Sequence, residues 1–278
     1  MAEQISFNVD NRPIGLFDSG LGGLTVLAAL RKKLPNESIV YLGDTARVPY
    51  GNKSGEAICQ FAAEDCNFLL ERGVKIVMAA CNTVSAVALE KLRNAHPNIQ
   101  IIGVIEAGIK AVIDSGATNV AVLGTRATIS SDMYRRGIHK INRTIAVESI
   151  ACPLLVPLAE EGINDENLIF NIFDLYLKYL RINPPEALLL GCTHYPLFCE
   201  ALNEYFAGKV KIIDSATACA QYMADFLSSN SLAASPKSHG SYRYFVTDMP
   251  SEFVTLSSRF LGKSPGNVEK VILDGKSL

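Results

Sequence analysis

The stretch VKIVMAACNT, Val74 to Thr83, decides how this chain is read: an apolar run ends in Cys81, two polar residues follow, and a helical pattern takes over. ALLLGCTH, Ala187 to His194, repeats the arrangement around Cys192, with the two sulfurs 111 residues apart. A short apolar run that stops at a polar pair and passes into a helix reads as a buried strand delivering its last residue to a functional edge. Two thiols delivered this way, one from each half of the chain, predict paired acid and base groups facing one substrate.

Outward from these runs, strand-like and helix-like segments alternate almost throughout. The pattern predicts an α/β fold of two doubly wound parallel-sheet domains with the active site between them. First-half strands are predicted over 14–17, 39–42, 75–80 and 101–104, with helices over 24–33, 54–72 and 84–94. The second half offers strands over 120–123, 146–150, 187–190 and 210–213, with helices over 131–141, 167–180 and 197–206. The halves echo each other: IGLFDSG at Ile14 has a counterpart 106 residues later in VAVLGTR at Val120. These offsets suggest a duplication, and halves related by pseudo-symmetry would bring both sulfurs to opposite walls of one cleft. A third region supplies a strand over 242–246, a helix over 251–261 and a strand over 268–272. Assigning it to the first domain gives residues 1–104 plus 218–278 as one discontinuous domain and 105–217 as the other, with 228–240 as a polar, Ser-rich loop.

Composition narrows the function classes. With 278 residues, 49% of them hydrophobic, the chain can bury a large core. A formal charge of −2 provides no long-range field for nucleic acid or an anionic membrane. No apolar segment approaches the roughly 20 residues of a bilayer span, and the N-terminus lacks a signal-peptide pattern, so a cytoplasmic protein is expected. Seven cysteines without tight pairing read as reduced thiols, and the absence of C-x-x-C disfavours structural zinc. Among them, Cys59 and Cys66 fit one apolar helix face, while Cys152, Cys199 and Cys219 have no chemical context.

Thiols suit proton transfer at carbon, because their unperturbed pKa of about 8.5 is readily moved by neighbouring donors. Two thiolates flanking an anion would repel, so a resting pair should hold one thiolate and one thiol. His194, two residues past Cys192, could orient that sulfur or exchange a proton with it, or serve only as a polar helix start. Asp18, where a strand turns into the Gly-rich DSGLGG, could act on the site or simply cap the helix, and Ser19 with the following amides could hold an anion. Asn82, Thr83 and Thr193 offer neutral donors at both cysteine edges. Asp44, Tyr50 and Gly51, taken singly, read as solvated loop; Glu161 reads as a second-half carboxylate near Cys192 or, together with Glu160, as an exposed helix end.

Five blocks taken together, DSGLGGLTV from Asp18, GDTARVPYG from Gly43, ACNT from Ala80, PLLVPLAEEG from Pro153 and GCTHYPL from Gly191, closely resemble the glutamate racemase family. The resemblance runs in order from about Pro13 to the C-terminus. It implies interconversion of L- and D-glutamate without a cofactor, for peptidoglycan synthesis, cell-wall biogenesis and cell shape. It assigns catalysis to Cys81 and Cys192, with Asp18 assisting Cys81, and Glu161 and His194 assisting Cys192. Substrate contacts carry over to Asp18, Ser19, Tyr50, Gly51, Asn82, Thr83, Thr193 and His194. The D-enantiomer's proton falls to Cys81 and the L-enantiomer's to Cys192. Family members are often homodimers, and some longer ones are activated by a cell-wall precursor; here Met1 to Arg12 precede the first strand and read as a disordered terminus by default. Rival readings are a racemase of another amino acid such as aspartate, a silent amino-acid-binding regulator, and a pyridoxal-phosphate enzyme. The last needs a Schiff-base lysine, which no block places beside the cysteines.

Overall fold

The computed structural model describes residues 9–273; residues 1–8 of the segment before the first strand lie outside the described residues. Among the described residues, ten strands form two wholly parallel sheets. The first contains β1 (Ile14–Asp18), β2 (Ile39–Gly43), β3 (Ile76–Ala79) and β4 (Ile101–Gly103), extended by β9 (Tyr242–Val246) and β10 (Val268–Lys270), in the order β10-β9-β2-β1-β3-β4. The second contains β5 (Asn119–Gly124), β6 (Ala146–Ala151), β7 (Ala187–Gly191) and β8 (Lys211–Asp214), in the order β6-β5-β7-β8. Without β9 and β10, the orders correspond strand for strand, which is the internal symmetry that the sequence echo implies.

β2, β3 and β7 are continuous apolar runs, as strands covered by helices on both faces must be. Every residue of β1, β2, β3 and β7 is buried. On one face of the first sheet, Leu16, Tyr41 and Met78 pack against Leu24, Leu27 and Leu30 of the helix Leu24–Lys33 and against Met223 and Leu227 of the helix Ser215–Ser229. On the other, Phe17, Leu42 and Val77 meet Ile58, Ala62, Cys66 and Leu69 of the helix Gly55–Leu70. That helix starts at Ser54, whose side chain accepts the Ala57 amide at 3.2 Å. Cys59 and Cys66 lie on its buried face.

Several expected helices are divided or shifted. The segment expected as one helix over 84–94 is two, Asn82–Val87 and Leu89–Ala95. Four helices lie outside the predicted ranges: Val104–Ser115, Arg126–Ser130, Leu155–Glu161 and Ser215–Ser229. The first begins directly where β4 ends, so its apolar residues merge with the strand's in sequence. The last is masked by its small Ala, Ser and Cys residues, although Asp214 caps it by accepting the Ala216 and Thr217 amides.

At the amino ends of the strands, the fully buried Lys75 ammonium donates to Glu37 Oε2 at 2.6 Å and to the Asp10 and Leu232 carbonyls at 2.6 and 2.7 Å. The second Glu37 oxygen accepts the Ala234 amide at 2.7 Å. The loop read from its polarity is therefore pinned at its start by a buried ion pair. The opposite, carboxyl ends of β1, β3, β5 and β7 are left to form the site.

Candidate active site

In each sheet the chain leaves the central strand toward both sides, and the gap so made at the strands' carboxyl ends is where α/β proteins seat ligands. Here the two gaps face each other. Cys81 follows β3, Cys192 follows β7, and both line one cavity of about 330 Å³. Its walls also include Ser19, Tyr50, Gly51, Asn82, Thr83, Thr193 and His194. Asp18 lies beneath the wall, fully buried, with Oδ2 accepting the Gly20 amide at 3.0 Å and Oδ1 facing the Thr193 hydroxyl at 3.4 Å.

The two sulfurs meet different surroundings. Cys81 precedes the helix Asn82–Val87, with the Ser19 hydroxyl 3.7 Å from Sγ. Burial, and after it the nearby Asp18 carboxyl, push the Cys81 thiol up to about 12, more than the Val84 amide and Ser19 pull it down. It therefore rests as a neutral thiol. Cys192 Sγ lies 3.9 Å from His194 Nδ1, and His194 Nε2 lies 3.1 Å from Glu160 Oε1. Burial disfavours the imidazolium, but the Cys192 sulfur and Glu160 outweigh it and carry His194 up to about 10. A cationic ring therefore stands beside the second sulfur at neutral pH. Its edge rests on Phe260, with centroids 5.7 Å apart.

Glu161, the carboxylate that the resemblance places behind Cys192, does not line this cavity; it faces a neighbouring one with Leu21, Thr45 and Leu256. The structure gives the place beside His194 to Glu160. On the helix Leu155–Glu161, Val156, Pro157 and Glu160 line the cysteine cavity, with Val156 and Glu160 four residues apart on one face. Asp44 and Tyr50 are fully buried rather than solvated. The Tyr50 hydroxyl turns away from the cavity and donates to Asp44, with Asp65 Oδ2 3.0 Å away. Arg47 offsets part of the cluster's negative charge by pairing with Asp44 and Glu64. Burial, then the charge of Asp44, hold the Asp65 carboxyl well above its usual range.

Contacts across the two sheets fix the distance between the cysteine edges. The Thr25 hydroxyl donates to the Thr193 carbonyl at 3.0 Å, and the Thr83 and Thr125 hydroxyls are 3.0 Å apart. Gly22 passes so near the second edge that a methyl group there would collide with the Thr193 hydroxyl and lie 2.6 Å from His194 Cε1. Thr125 is a site residue that sequence reasoning missed. Its signal was present, because VAVLGTR puts Thr125 where IGLFDSG puts Ser19. Arg126 also lines the cavity and likewise lay inside that echo.

The comparisons agree with this fold. Residues 25–223 match the family model of Asp/Glu/Hydantoin racemase. The glutamate racemase of Geobacter metallireducens is 43% identical over 268 residues, covering 95% of this chain and 98% of that protein. Among solved structures, the Francisella tularensis glutamate racemase in complex with D-glutamate superposes with a TM-score of 0.87 at 40% identity, covering 96% of this chain and 100% of that one. The Escherichia coli glutamate racemase, with L-glutamate and the activator UDP-MurNAc-Ala, gives 0.76 at 26% identity, over 94% and 99% of the two chains. The chain belongs to the aspartate/glutamate racemase family, on its glutamate racemase branch.

Proposed function

We propose that this chain interconverts L- and D-glutamate by proton transfer at the α-carbon between Cys81 and Cys192, using no cofactor, and so supplies D-glutamate for peptidoglycan. The observation that carries this reading is that both sulfurs open into one cavity from corresponding strands of two sheets. Groups on opposite faces of a carbon can invert it, since one removes its proton while the other supplies one.

For the L-enantiomer, Cys192 takes the α-proton and the Cys81 thiol delivers its own to the opposite face. For the D-enantiomer the roles reverse. Each turnover moves the proton from one sulfur to the other, so the total charge of the protein is unchanged. Ser19, Asn82, Thr83 and Thr125 present neutral donors to the substrate carboxylates and to the charge that builds as the α-carbon is deprotonated. Burial, and after it Asp18, keep Cys81 protonated by raising its pKa. His194, held by Glu160, keeps a positive charge beside Cys192.

Circular dichroism of pure L-glutamate should decay to zero with the purified protein and no additive. Cys81→Ala and Cys192→Ala should each stop the decay while keeping the folded spectrum, and near-normal turnover in either variant overturns the two-thiol scheme. Aspartate run in parallel measures selectivity. Homodimerisation and activation by a cell-wall precursor are further parts of the proposal. Light scattering reads the first; stimulation by UDP-MurNAc-Ala, the activator of the Escherichia coli relative, reads the second. Among the described residues no helix is long and apolar enough to cross a membrane, which accords with a proposed cytoplasmic location.

A further inference from the structure

Tyr134 stands on the helix Met133–Ile141, outside every motif block, and does not line the cavity. It is nevertheless buried between the two cysteine edges. Its hydroxyl donates to Asn82 Oδ1 at 2.5 Å, linking it to the residue that follows Cys81. Its ring lies against Gly191, the residue before Cys192: a methyl group on Gly191 would be 2.9 Å from Tyr134 Cε2. On the other side, a methyl group on Gly108 would be 2.9 Å from Tyr134 Cε1. The ring thus fills a slot that only glycine leaves open.

Asn82 completes the observation. Its side chain is buried, its carbonyl oxygen is taken by Tyr134, and its Nδ2 has no partner while the residue lines the cavity. An amide has two ends of opposite character, and a rotation about its last bond exchanges donor for acceptor. A buried donor without a partner costs free energy unless a ligand meets it.

We infer that Tyr134 is a positioning residue for the racemase reaction: by occupying the Asn82 carbonyl oxygen it fixes the amide with its NH2 group toward the cavity, as a donor for a substrate carboxylate. Without the hydroxyl, the amide can turn its oxygen toward the carboxylate, which repels it. Burial holds the phenol well above its usual pKa, so Tyr134 remains a donor throughout the working range. The inference rests on the proposed glutamate racemase activity, and the unsubstituted protein separates the two. If it fails to racemise glutamate, the activity assignment fails first.

With turnover established, Tyr134→Phe keeps the ring in its slot and removes only the hydroxyl. The expected result is a KM for glutamate raised by about tenfold, kcat within about threefold, and a melt that stays cooperative. In an Asn82→Ala background the same substitution should change KM by less than about twofold, because there is no amide left to orient. An unchanged KM in the first case, or the same factor in both backgrounds, overturns the inference. Should Tyr134→Phe melt without cooperativity, the Asn82 side-chain amide resonance of the unsubstituted protein answers instead. It should move when glutamate is added; a resonance that stays in place overturns the inference.

Discussion

The edges that carry Cys81 and Cys192 are built on corresponding strands of two like-ordered sheets, yet they differ in charge. At Cys81 burial, and after it the carboxyl beneath, outweigh a hydroxyl and an amide and leave the sulfur protonated. At Cys192 a buried imidazolium, held by Glu160, stands next to the sulfur. The proposed reaction accounts for both: a symmetric scaffold lets the two edges reach one carbon, and asymmetric electrostatics let one group give a proton while the other takes one. Symmetry thus belongs to backbone placement, and asymmetry to the side chains set upon it.

Substituting the sulfurs tests this comparison most severely. Cys81→Ala and Cys192→Ala are each expected to lower turnover by about a thousandfold or more, in both directions, with optical rotation as the readout. Because the enantiomers have equal free energy, kcat/KM must fall equally from either side, so any true asymmetry shows in the separate kcat values. Residual activity confined to one variant would break the two-edge picture.

Pushing the edges apart comes next. Gly22→Ala places a methyl group against Thr193 and His194, and is expected to cost about a hundredfold in turnover. Overpacking there should also destabilise the fold by about 1–3 kcal/mol, read by denaturant titration. A fully active Gly22→Ala protein would mean that the edges are not held at a fixed spacing.

Adjacent carboxylates then sharpen the comparison. Glu160→Gln is expected to lower kcat by about tenfold and to move the alkaline limb of the pH profile toward neutrality, since it removes a charge that raises His194. Glu161→Gln should stay within about twofold of the parent protein. The reverse ranking would return the role to Glu161.

The smallest effect concerns stability. His194 is raised on folding from 6.5 to about 10, so the stabilisation tied to its proton is fully present below 6.5 and is lost as pH rises through about 10. Melting temperature should therefore fall over that interval, and His194→Asn should flatten the fall. An equal decline in the variant would assign the alkaline loss to other groups, the Cys81 thiol among them.

Much of this was legible in the sequence, for a physical reason: parallel strands buried on both faces must be continuous apolar runs, and such runs are conspicuous. The motif ends gave the cysteines and their polar neighbours. Glu160 against Glu161 was not legible, because adjacent residues at a helix end differ only in the face they present, and that face is fixed by packing. Thr125 was hidden in a segment with no reactive residue to draw attention, and becomes visible only when the two halves are superimposed. Asp44 read as loop because a carboxylate after a strand is commonly solvated, whereas here Arg47 and Tyr50 fold over it. Burial of that kind depends on partners distant in the chain, Thr247 among them, whose hydroxyl donates to Asp44 at 2.8 Å.

The pairing of β9 with β2 sets an order of events at the ribosome. β2 emerges early, but its neighbour β9 is not translated until the whole of the second sheet has been made. The second sheet, drawn from one uninterrupted stretch of the nascent polypeptide, can close while the first waits with an open edge. The part of the molecule begun first is thus finished last, since every strand of the second sheet is translated before Tyr242 is reached.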